Sequence, residues 1–186
     1  MSKKPHGAGK SSIDLVDANR LFFEIDLHRG QIFLDIACGA GAYSETAAKI
    51  VGPTGRVYAF DLWEVGILEL KAKGIANIDA RVVDVGRNMP LADQSVDIAL
   101  MAMVLHDLMR DQSEIEALKE IYRILKHHGR LAVVEFKKEE EGPGPPFHIK
   151  LSPENVADRV LPYGFQTLKT VNLGPHSYLT LFKREG

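Results

Sequence analysis

The chain has 186 residues, of which 45% are hydrophobic and 26% charged, and its formal net charge is −2 at pH 7. This length suits one domain with a sizeable core, and the small net charge gives no electrostatic case for binding nucleic acid or an anionic membrane. Cys38 is the only cysteine, which excludes an internal disulfide and a multi-cysteine metal site. No residues are assigned to a metal, and we expect none. No apolar run approaches the roughly 20 residues of a membrane span, and the first ten residues lack the apolar core of a signal peptide. We therefore expect a cytoplasmic protein without a membrane span.

Residues 1–10 are predicted to form a flexible tail, and residues 11–186 a single domain. The sequence GAGKS at positions 7–11 resembles the end of a phosphate-binding loop. That pattern requires a glycine where Lys4 stands and a strand before it, so we reject this interpretation. Ser11 or Ser12 is instead predicted to cap a helix, whose apolar positions are Ile13, Leu15, Val16 and Phe23.

The most informative pattern is IFLDIACGAGAYS at positions 32–44. It predicts a strand over residues 31–36, a turn containing Gly39 and Gly41, and a helix over residues 43–51. Glycines allow a ligand to approach the backbone closely, and the amides at a helix N-terminus then face that ligand. A dinucleotide-binding fingerprint would need a glycine at the position of Ser44.

The order Asp-x-Ala-x-Gly-x-Gly, which begins at Asp35, instead resembles motif I of the class I S-adenosylmethionine-dependent methyltransferases. That motif is usually written (Asp/Glu)-x-Gly-x-Gly-x-Gly. The departure is Ala37 at the first glycine, for which we expect a slightly tighter fit and not a lost site.

The rest of the chain alternates short apolar strands with helices. Gly66 lies inside the first of these helices and is expected to weaken it by ~1 kcal/mol relative to alanine. The predicted elements are a strand over 56–61, a helix over 63–73, strands over 78–85 and 95–103, a helix over 111–126, a strand over 130–136, a loop over 137–150, a helix from 152, and strands over 165–173 and 177–183.

The helix over residues 111–126 has the clearest boundary signals. Ser113 and Glu116 match a capping box, and Gly129 is predicted to close the helix. His127 and His128 then lie at its C-terminus, where they would interact favourably with the helix dipole, so we interpret them as structural.

The repeated strand–helix order predicts an α/β fold with a parallel sheet and right-handed crossovers, and the last two strands form a hairpin that inserts one antiparallel strand. The resemblance implies a Rossmann-like, doubly wound, seven-stranded sheet in the order 3-2-1-4-5-7-6 with strand 7 antiparallel. The dinucleotide-binding fold lacks that reversed strand. In such a fold the helix that begins at Ser11 or Ser12 would lie across the mouth of the cofactor site; a plain surface helix is the alternative.

Three acids, Asp35, Asp61 and Asp84, follow three successive strands at the edge where an open parallel sheet binds its ligand. Each acid taken alone is better explained as a helix cap or a turn residue. Together they match the cofactor site of the family, whose cofactor is S-adenosylmethionine and whose product is S-adenosylhomocysteine. The resemblance implies that Asp61 accepts the ribose hydroxyls, Leu62 packs on the adenine, Asp84 accepts the adenine amino group, and Val85 supplies a neighbouring amide.

The same resemblance implies that the glycine turn binds the methionine end of the cofactor. Gly39 and Gly41 let the backbone approach the methionine moiety, and Ala37 offers its carbonyl to the amino group. Asp35 orders the turn or reaches that amino group through water. Met101 falls where the backbone of the fourth strand lines the methionine part, although a core position is the competing interpretation.

Residues 97–107 resemble motif IV of the ubiquinone/menaquinone C-methyltransferase branch, which often reads Asp-x-Val-x-x-x-x-x-Leu-His-His. Asp107 stands at the second histidine. His106 follows the strand near the expected acceptor position, where a histidine can take a proton at neutral pH. The alternative is a structural histidine that hydrogen-bonds the adjoining loop. In this family the loop corresponding to residues 137–150 helps to form the acceptor pocket.

These features predict a methyltransferase that acts on a small-molecule acceptor, because the chain has almost no insertion beyond the core fold. Arsenic methylation is excluded by the single cysteine. The alternatives are an NAD-binding oxidoreductase and a non-catalytic protein that binds the cofactor or supports a partner enzyme. The sequence does not indicate an oligomeric state.

Overall fold

The computed structural model describes residues 11–186, so the predicted tail and most of the GAGKS segment lie outside the described residues. Within that range, seven strands form one sheet. The strands are β1 Ile32–Ile36, β2 Arg56–Asp61, β3 Ile78–Val82, β4 Val96–Ala102, β5 Leu125–Phe136, β6 Phe165–Asn172 and β7 Ser177–Arg184.

The sheet has the strand order β3-β2-β1-β4-β5-β7-β6. The first five strands in this order pair in parallel. β7 runs antiparallel to both β5 and β6. The predicted order and the reversal of the seventh strand are therefore confirmed.

Six helices and two short 3-10 turns, Ile13–Leu15 and Leu161–Tyr163, accompany the sheet in the described part of the chain. The helices are α1 Ala18–Glu24, α2 Ala42–Val51, α3 Glu64–Ala72, α4 Leu105–Arg110, α5 Glu114–Ile124 and α6 Pro153–Val160.

Apolar side chains cover both faces of the sheet, as expected for a parallel sheet. On one face, α5 and α6 contribute Leu118 and Val156 to the larger core cluster. On the other face, α1 and α2 contribute Phe22 and Ala47, and α3 adds Ile67 to a smaller cluster. None of the helices within residues 11–186 combines the length and the apolar character that crossing a membrane requires.

The predicted helix from Ser11 or Ser12 through Phe23 is wrong. The chain forms a 3-10 turn, is extended at Val16, and begins α1 only at Ala18. Asp17 caps that helix by accepting a hydrogen bond from the Arg20 amide at 2.9 Å. A side-chain cap in the middle of the segment outweighs the apolar periodicity that suggested one continuous helix.

The predicted helix over residues 111–126 is also revised. A separate helix, α4, precedes it, and α5 ends at Ile124, where β5 begins without a linker. Ser113 makes no capping bond and instead donates to the Leu108 carbonyl at 3.4 Å, so the capping box is absent. His127 and His128 lie inside β5 and not at a helix C-terminus, because Leu125 already pairs with Val96.

Candidate active site

The carboxyl ends of the central strands form one edge of the sheet, and the register of the strands shows which residues meet there. Ile36 of β1 pairs with Phe60 of β2 and with Met101 of β4. The next residues are Ala37, which directly follows β1, and Asp61, which is the last residue of β2, so these two lie side by side at this edge. Parallel sheets bind ligands at this edge, where the strand order changes direction.

Two residues at this edge adopt a left-handed backbone that favours glycine. Ala37 follows β1 with φ 57°, and Met103 follows β4 with φ 58°. A left-handed conformation costs about 1–2 kcal/mol for a residue with a side chain, and such strain concentrates at functional sites. Ala37, the position that departs from the motif, therefore holds the backbone shape that a glycine would adopt there.

The two glycines of the turn have different roles. Gly41, with φ 83°, lies against Leu70 of α3, whose Cδ2 atom would be 2.5 Å from an added Cβ. An added Cβ on Gly39 would have no heavy atom within 4 Å. Gly41 therefore permits packing inside the protein, whereas Gly39 presents an open face beside the turn.

Gly66 explains how α3 approaches this turn. A Cβ at this position would lie 2.7 Å from the Gly39 carbonyl oxygen and would clash with the Trp63 ring. The expected cost in helix propensity therefore accompanies a close contact that alanine would prevent. Sequence reasoning treated Gly66 as a weakness of the helix and missed this contact.

Asp61 connects the end of β2 to the glycine turn. Its Oδ2 atom accepts the Gly39 amide at 2.7 Å, and its Oδ1 atom accepts the Trp63 amide at 2.6 Å. The residue is 8% exposed. Each oxygen retains one further lone pair, so the carboxylate is fixed in place and can still accept hydrogen bonds.

Asp35 is buried at the end of β1 and faces the protein interior. The Ser44 hydroxyl donates to its Oδ2 atom at 2.6 Å. Burial raises the pKa of Asp35 to about 7, the Ser44 hydrogen bond opposes this change, and the nearby Asp61 charge adds to it. Asp35 therefore ties β1 to α2 and orders the turn. Ser44, considered at first only as a missing glycine, is the partner that makes this possible.

The other predicted cofactor residues differ in the exposure of their side chains. Leu62 is 45% exposed beside Asp61, as an apolar platform would be, whereas the side chains of Val85 and Met101 are buried in the core. Val85 and Met101 can therefore contribute only main-chain atoms. Asp84 lies in the turn after β3, which ends at Val82.

The Asp84 carboxylate already has two partners. It accepts the Gly86 amide at 3.1 Å and an ion pair from Arg87 Nε at 3.0 Å. Asp84 therefore shapes its own turn and is partly exposed at the edge that also holds Asp61.

His106 is buried at the start of α4 and contacts a residue that sequence reasoning missed. Its backbone amide donates to Glu135 Oε1 at 3.2 Å, and its Nδ1 atom lies 2.8 Å from Glu135 Oε2. Glu135 is 1% exposed near the end of β5. The signal that could have identified it is one acid within an apolar strand, LAVVEF.

The segment before α1 lies beside the glycine turn. Ser12 Oγ and the Tyr43 hydroxyl hydrogen-bond at 2.9 Å, and Tyr43 is in the first turn of α2. The turn between β6 and β7 holds the same segment, because Asp17 donates its amide to the Leu173 carbonyl at 2.7 Å and Ser177 donates to the Leu15 carbonyl at 3.0 Å. This placement favours the prediction that the segment lies at the mouth of the cofactor site over the alternative of a plain surface helix.

The loop over residues 137–150 contains no helix or strand, as predicted. Lys150 is buried and donates to the carbonyls of Glu139 at 3.0 Å and Glu141 at 3.4 Å. Gly144 packs against the Phe136 ring at the end of β5. The loop, α6, β6 and β7 border a cavity of about 300 Å³. The loop is therefore held in place over the end of β5, beside Phe136, whose ring packs on His106.

Titratable groups in the described residues, 11–186, do not assemble into a metal site of three or more His, Cys, Asp or Glu side chains.

Comparison with known families and proteins gives a consistent result. The family model described as "Methyltransferase domain" matches residues 34–133. A ubiquinone/menaquinone biosynthesis C-methyltransferase from Haemophilus ducreyi is 35% identical over 123 residues, which cover 62% of this chain and 46% of that protein. A demethylmenaquinone methyltransferase from Lactobacillus johnsonii is 32% identical over 122 residues, covering 62% and 48%. The chain spans about half the length of the curated relatives it matches.

Solved structures extend the similarity to nearly the whole chain. A SAM-dependent methyltransferase from Aquifex aeolicus superposes with a TM-score of 0.83 at 29% identity, covering 93% of this chain and 92% of that one. A putative type 11 methyltransferase from Sulfolobus solfataricus gives a TM-score of 0.71 at 25% identity, covering 84% and 85%.

Proposed function

Because the chain belongs to the class I S-adenosylmethionine-dependent methyltransferases, whose cofactor is S-adenosylmethionine, we propose that it methylates a small-molecule acceptor and releases S-adenosylhomocysteine. We also propose that residues 11–186 act as one methyltransferase domain, since one sheet carries both core layers. A cytoplasmic location remains a prediction.

The observation that supports this proposal most directly is the fixed Asp61 carboxylate beside the open face of Gly39. The Gly39 and Trp63 amides hold the two oxygens of Asp61. No heavy atom fills the space where a Gly39 side chain would lie. A preorganised acceptor of hydrogen bonds next to an accessible backbone is what a ribose and its neighbouring groups require.

The remaining cofactor residues fit around that point. Asp61 would hold the ribose, with Leu62 against the adenine face and Asp84 at its amino group. The methionine end would lie along the main chain of Ala37 and Gly39, and Gly41 would shape the turn. The bound cofactor supplies a methyl group on a positively charged sulfur, which is already activated toward a nucleophile. The protein therefore chiefly aligns the acceptor and excludes water.

The acceptor would approach from the side of His106 and the loop over residues 137–150. His106 is the proposed catalytic residue, since it lies buried at the carboxyl end of β4 and β5. Several relatives are described as acting in ubiquinone and menaquinone biosynthesis. We therefore propose quinols as the first acceptor class to examine.

Calorimetric titration tests the cofactor site. We expect S-adenosylmethionine and S-adenosylhomocysteine to bind and NAD not to bind. Asp61→Ala should weaken S-adenosylhomocysteine binding by tenfold or more, because it removes a charged acceptor and releases two amides. Asp93→Ala is the matched control, since it removes an exposed carboxylate that pairs with Arg123. Tight binding of NAD alone, or equal affinity in the Asp61 variant, would overturn the assignment.

A second measurement separates an enzyme from a cofactor-binding protein. Release of S-adenosylhomocysteine is followed with a panel of quinols, phenols, amines and thiols. Turnover with at least one member supports the proposed reaction. Tight cofactor binding with no turnover across the panel would favour the non-catalytic alternative. The oxidoreductase alternative has no support, because the sheet has the reversed β7 and Ser44 stands where the dinucleotide-binding fingerprint has its third glycine.

A further inference from the structure

A buried acid at the end of β5, Glu135, is not among the residues proposed to hold the cofactor. Glu135 is 1% exposed, and its neighbours Val134 and Phe136 are apolar and buried. A charge in such surroundings persists only where it is paired and hydrogen-bonded. Both Glu135 oxygens are directed to a single residue, His106, through its backbone amide and its Nδ1 atom.

This arrangement determines how the imidazole is presented. Because a carboxylate accepts hydrogen bonds, Nδ1 of His106 carries a hydrogen, and Nε2 becomes the atom available for other chemistry. Nε2 lies 3.8 Å from Asp107 Oδ2, makes no hydrogen bond with residues 11–186, and is not sealed from solvent. The Phe136 ring packs beside the imidazole with centroids 6.3 Å apart.

The charges around His106 favour its cationic form. Burial lowers the pKa of His106, and the Arg110 charge lowers it further. The hydrogen bond and charge of Glu135, together with the charge of Asp107, outweigh both effects and raise the pKa above its ordinary value. Arg110 Nη1 is 2.9 Å from Asp107 Oδ1 and fixes that carboxylate. Tyr178 lies opposite Glu135 in β7 and directs its hydroxyl to a main-chain carbonyl. Two carboxylates and one guanidinium therefore face the ring.

We propose that Glu135 is a positioning residue that holds His106 as an imidazolium, and that Nε2–H of His106 binds the ionised oxygen of a phenol or enol acceptor. This inference rests on the proposed methyltransferase function and defines the acceptor class of the same site. A cationic ring would repel an amine acceptor that carries its own positive charge, whereas it stabilises an oxyanion.

The acceptor and His106 share one proton, and two routes lead to the same bound state. When a neutral acceptor meets neutral His106, the acceptor O–H bond breaks, its electron pair stays on the oxygen, and the proton forms the Nε2–H bond. When the acceptor enters already ionised, it meets the imidazolium directly. Both routes give the same ion pair, in which the oxygen or a carbon conjugated to it holds the nucleophilic electron pair. Glu135 remains a carboxylate throughout.

The first test uses the protein without cofactor. Nitrogen NMR of His106 should show a hydrogen on Nδ1 and a titration above the ordinary histidine range. Glu135→Gln should lower that pKa by about one unit, a tenfold change in ionisation. Glu135→Asp, which retains the charge, should recover part of the shift. Glu120→Gln is the control, because Glu120 is a partly buried acid that pairs with Arg123 away from this edge. An unchanged His106 titration in Glu135→Gln would overturn the proposal.

The second test uses para-nitrophenol, whose ionised form absorbs visible light, with S-adenosylhomocysteine present. The wild-type protein should bind the phenolate and lower its apparent pKa, whereas Glu135→Gln and His106→Phe should bind it about tenfold more weakly. Equal phenolate affinity in all variants, with S-adenosylhomocysteine affinity intact, would refute the acceptor class and leave the methyltransferase proposal standing. Failure of the wild type to bind S-adenosylhomocysteine would refute the methyltransferase proposal, while the NMR titration would still decide the role of Glu135.

Discussion

Replacing Ala37 with glycine should stabilise the protein, although a glycine usually destabilises. Ala37 has φ 57° immediately after β1. In this left-handed region the side chain of any other residue crowds the following carbonyl, and only glycine avoids the cost. The substitution also restores the residue that the motif usually has at this position.

The magnitude follows from two opposing terms. Removing the Cβ relieves about 1–2 kcal/mol of left-handed strain. Glycine adds freedom to the unfolded chain, which costs about 0.4–1 kcal/mol. The difference is a stabilisation of about 0.5–1 kcal/mol, and for a chain of this length it corresponds to a rise in Tm of about 1–4 °C.

Urea denaturation and thermal unfolding of the ligand-free protein measure this change, and Ala42→Gly is the matched control. Ala42 is also partly buried and lies five residues further on, in the first turn of α2. There glycine should destabilise by about 0.5–1 kcal/mol. Opposite signs at the two positions support the strain argument. Loss of stability at both positions would refute it, as would Ala37→Gly binding S-adenosylhomocysteine more weakly than the wild type.

Two further substitutions test the surroundings of the turn. Asp35→Asn should become more stable relative to the wild type as pH rises. The folded-state pKa of Asp35 is raised from 3.8 to about 7, so the folded protein holds this proton more tightly than the unfolded chain does. The free energy of unfolding of the wild type therefore falls by about 4 kcal/mol from this group between pH 4 and pH 8. Urea titrations at several pH values measure the difference, and a constant gap between the two proteins would contradict it. Gly66→Ala should destabilise by about 1–3 kcal/mol and weaken S-adenosylhomocysteine binding, because the new Cβ would lie 2.7 Å from the Gly39 carbonyl oxygen. Helix propensity alone predicts a gain, so increased stability would refute the contact argument.

The strands were predictable because their determinants are local, whereas the strand order came from the resemblance to the methyltransferase family. Apolar runs followed by acids mark the ends of β1 and β2, and a closely spaced last pair of strands indicates the hairpin that reverses β7. The glycine turn was predictable for the same reason, since Asp35, Gly39 and Gly41 lie within seven residues of one another.

The errors arose where long-range contacts decide the local conformation. Ser113 had a capping sequence, but it donates to the Leu108 carbonyl in the turn between α4 and α5. The pairing of Leu125 with Val96 ends α5 earlier than Gly129 would. Glu135 and His106 are 29 residues apart, and no periodicity joins them. Only the folded sheet brings their strand ends together.

The position of β7 has a consequence for the synthesis of the chain. β7 lies between β5 and β6, yet it is the last of the seven strands in chain order. Residues 137–176 separate it from β5, and a ribosome adds that stretch in roughly 2–8 s. Until then the nascent protein has β5 exposed as a sheet edge, which is prone to pairing with other chains.

The same late strand anchors the segment that lies beside the glycine turn. Ser177 and the preceding turn hold the segment at Leu15 and Asp17, and the contact between Ser177 and Leu15 spans 162 residues. This segment therefore gains its contacts with Leu173 and Ser177 only after the final hairpin has left the ribosome. The same hairpin therefore covers the exposed edge of β5 and anchors this segment, so both changes occur at one stage in the synthesis of the chain.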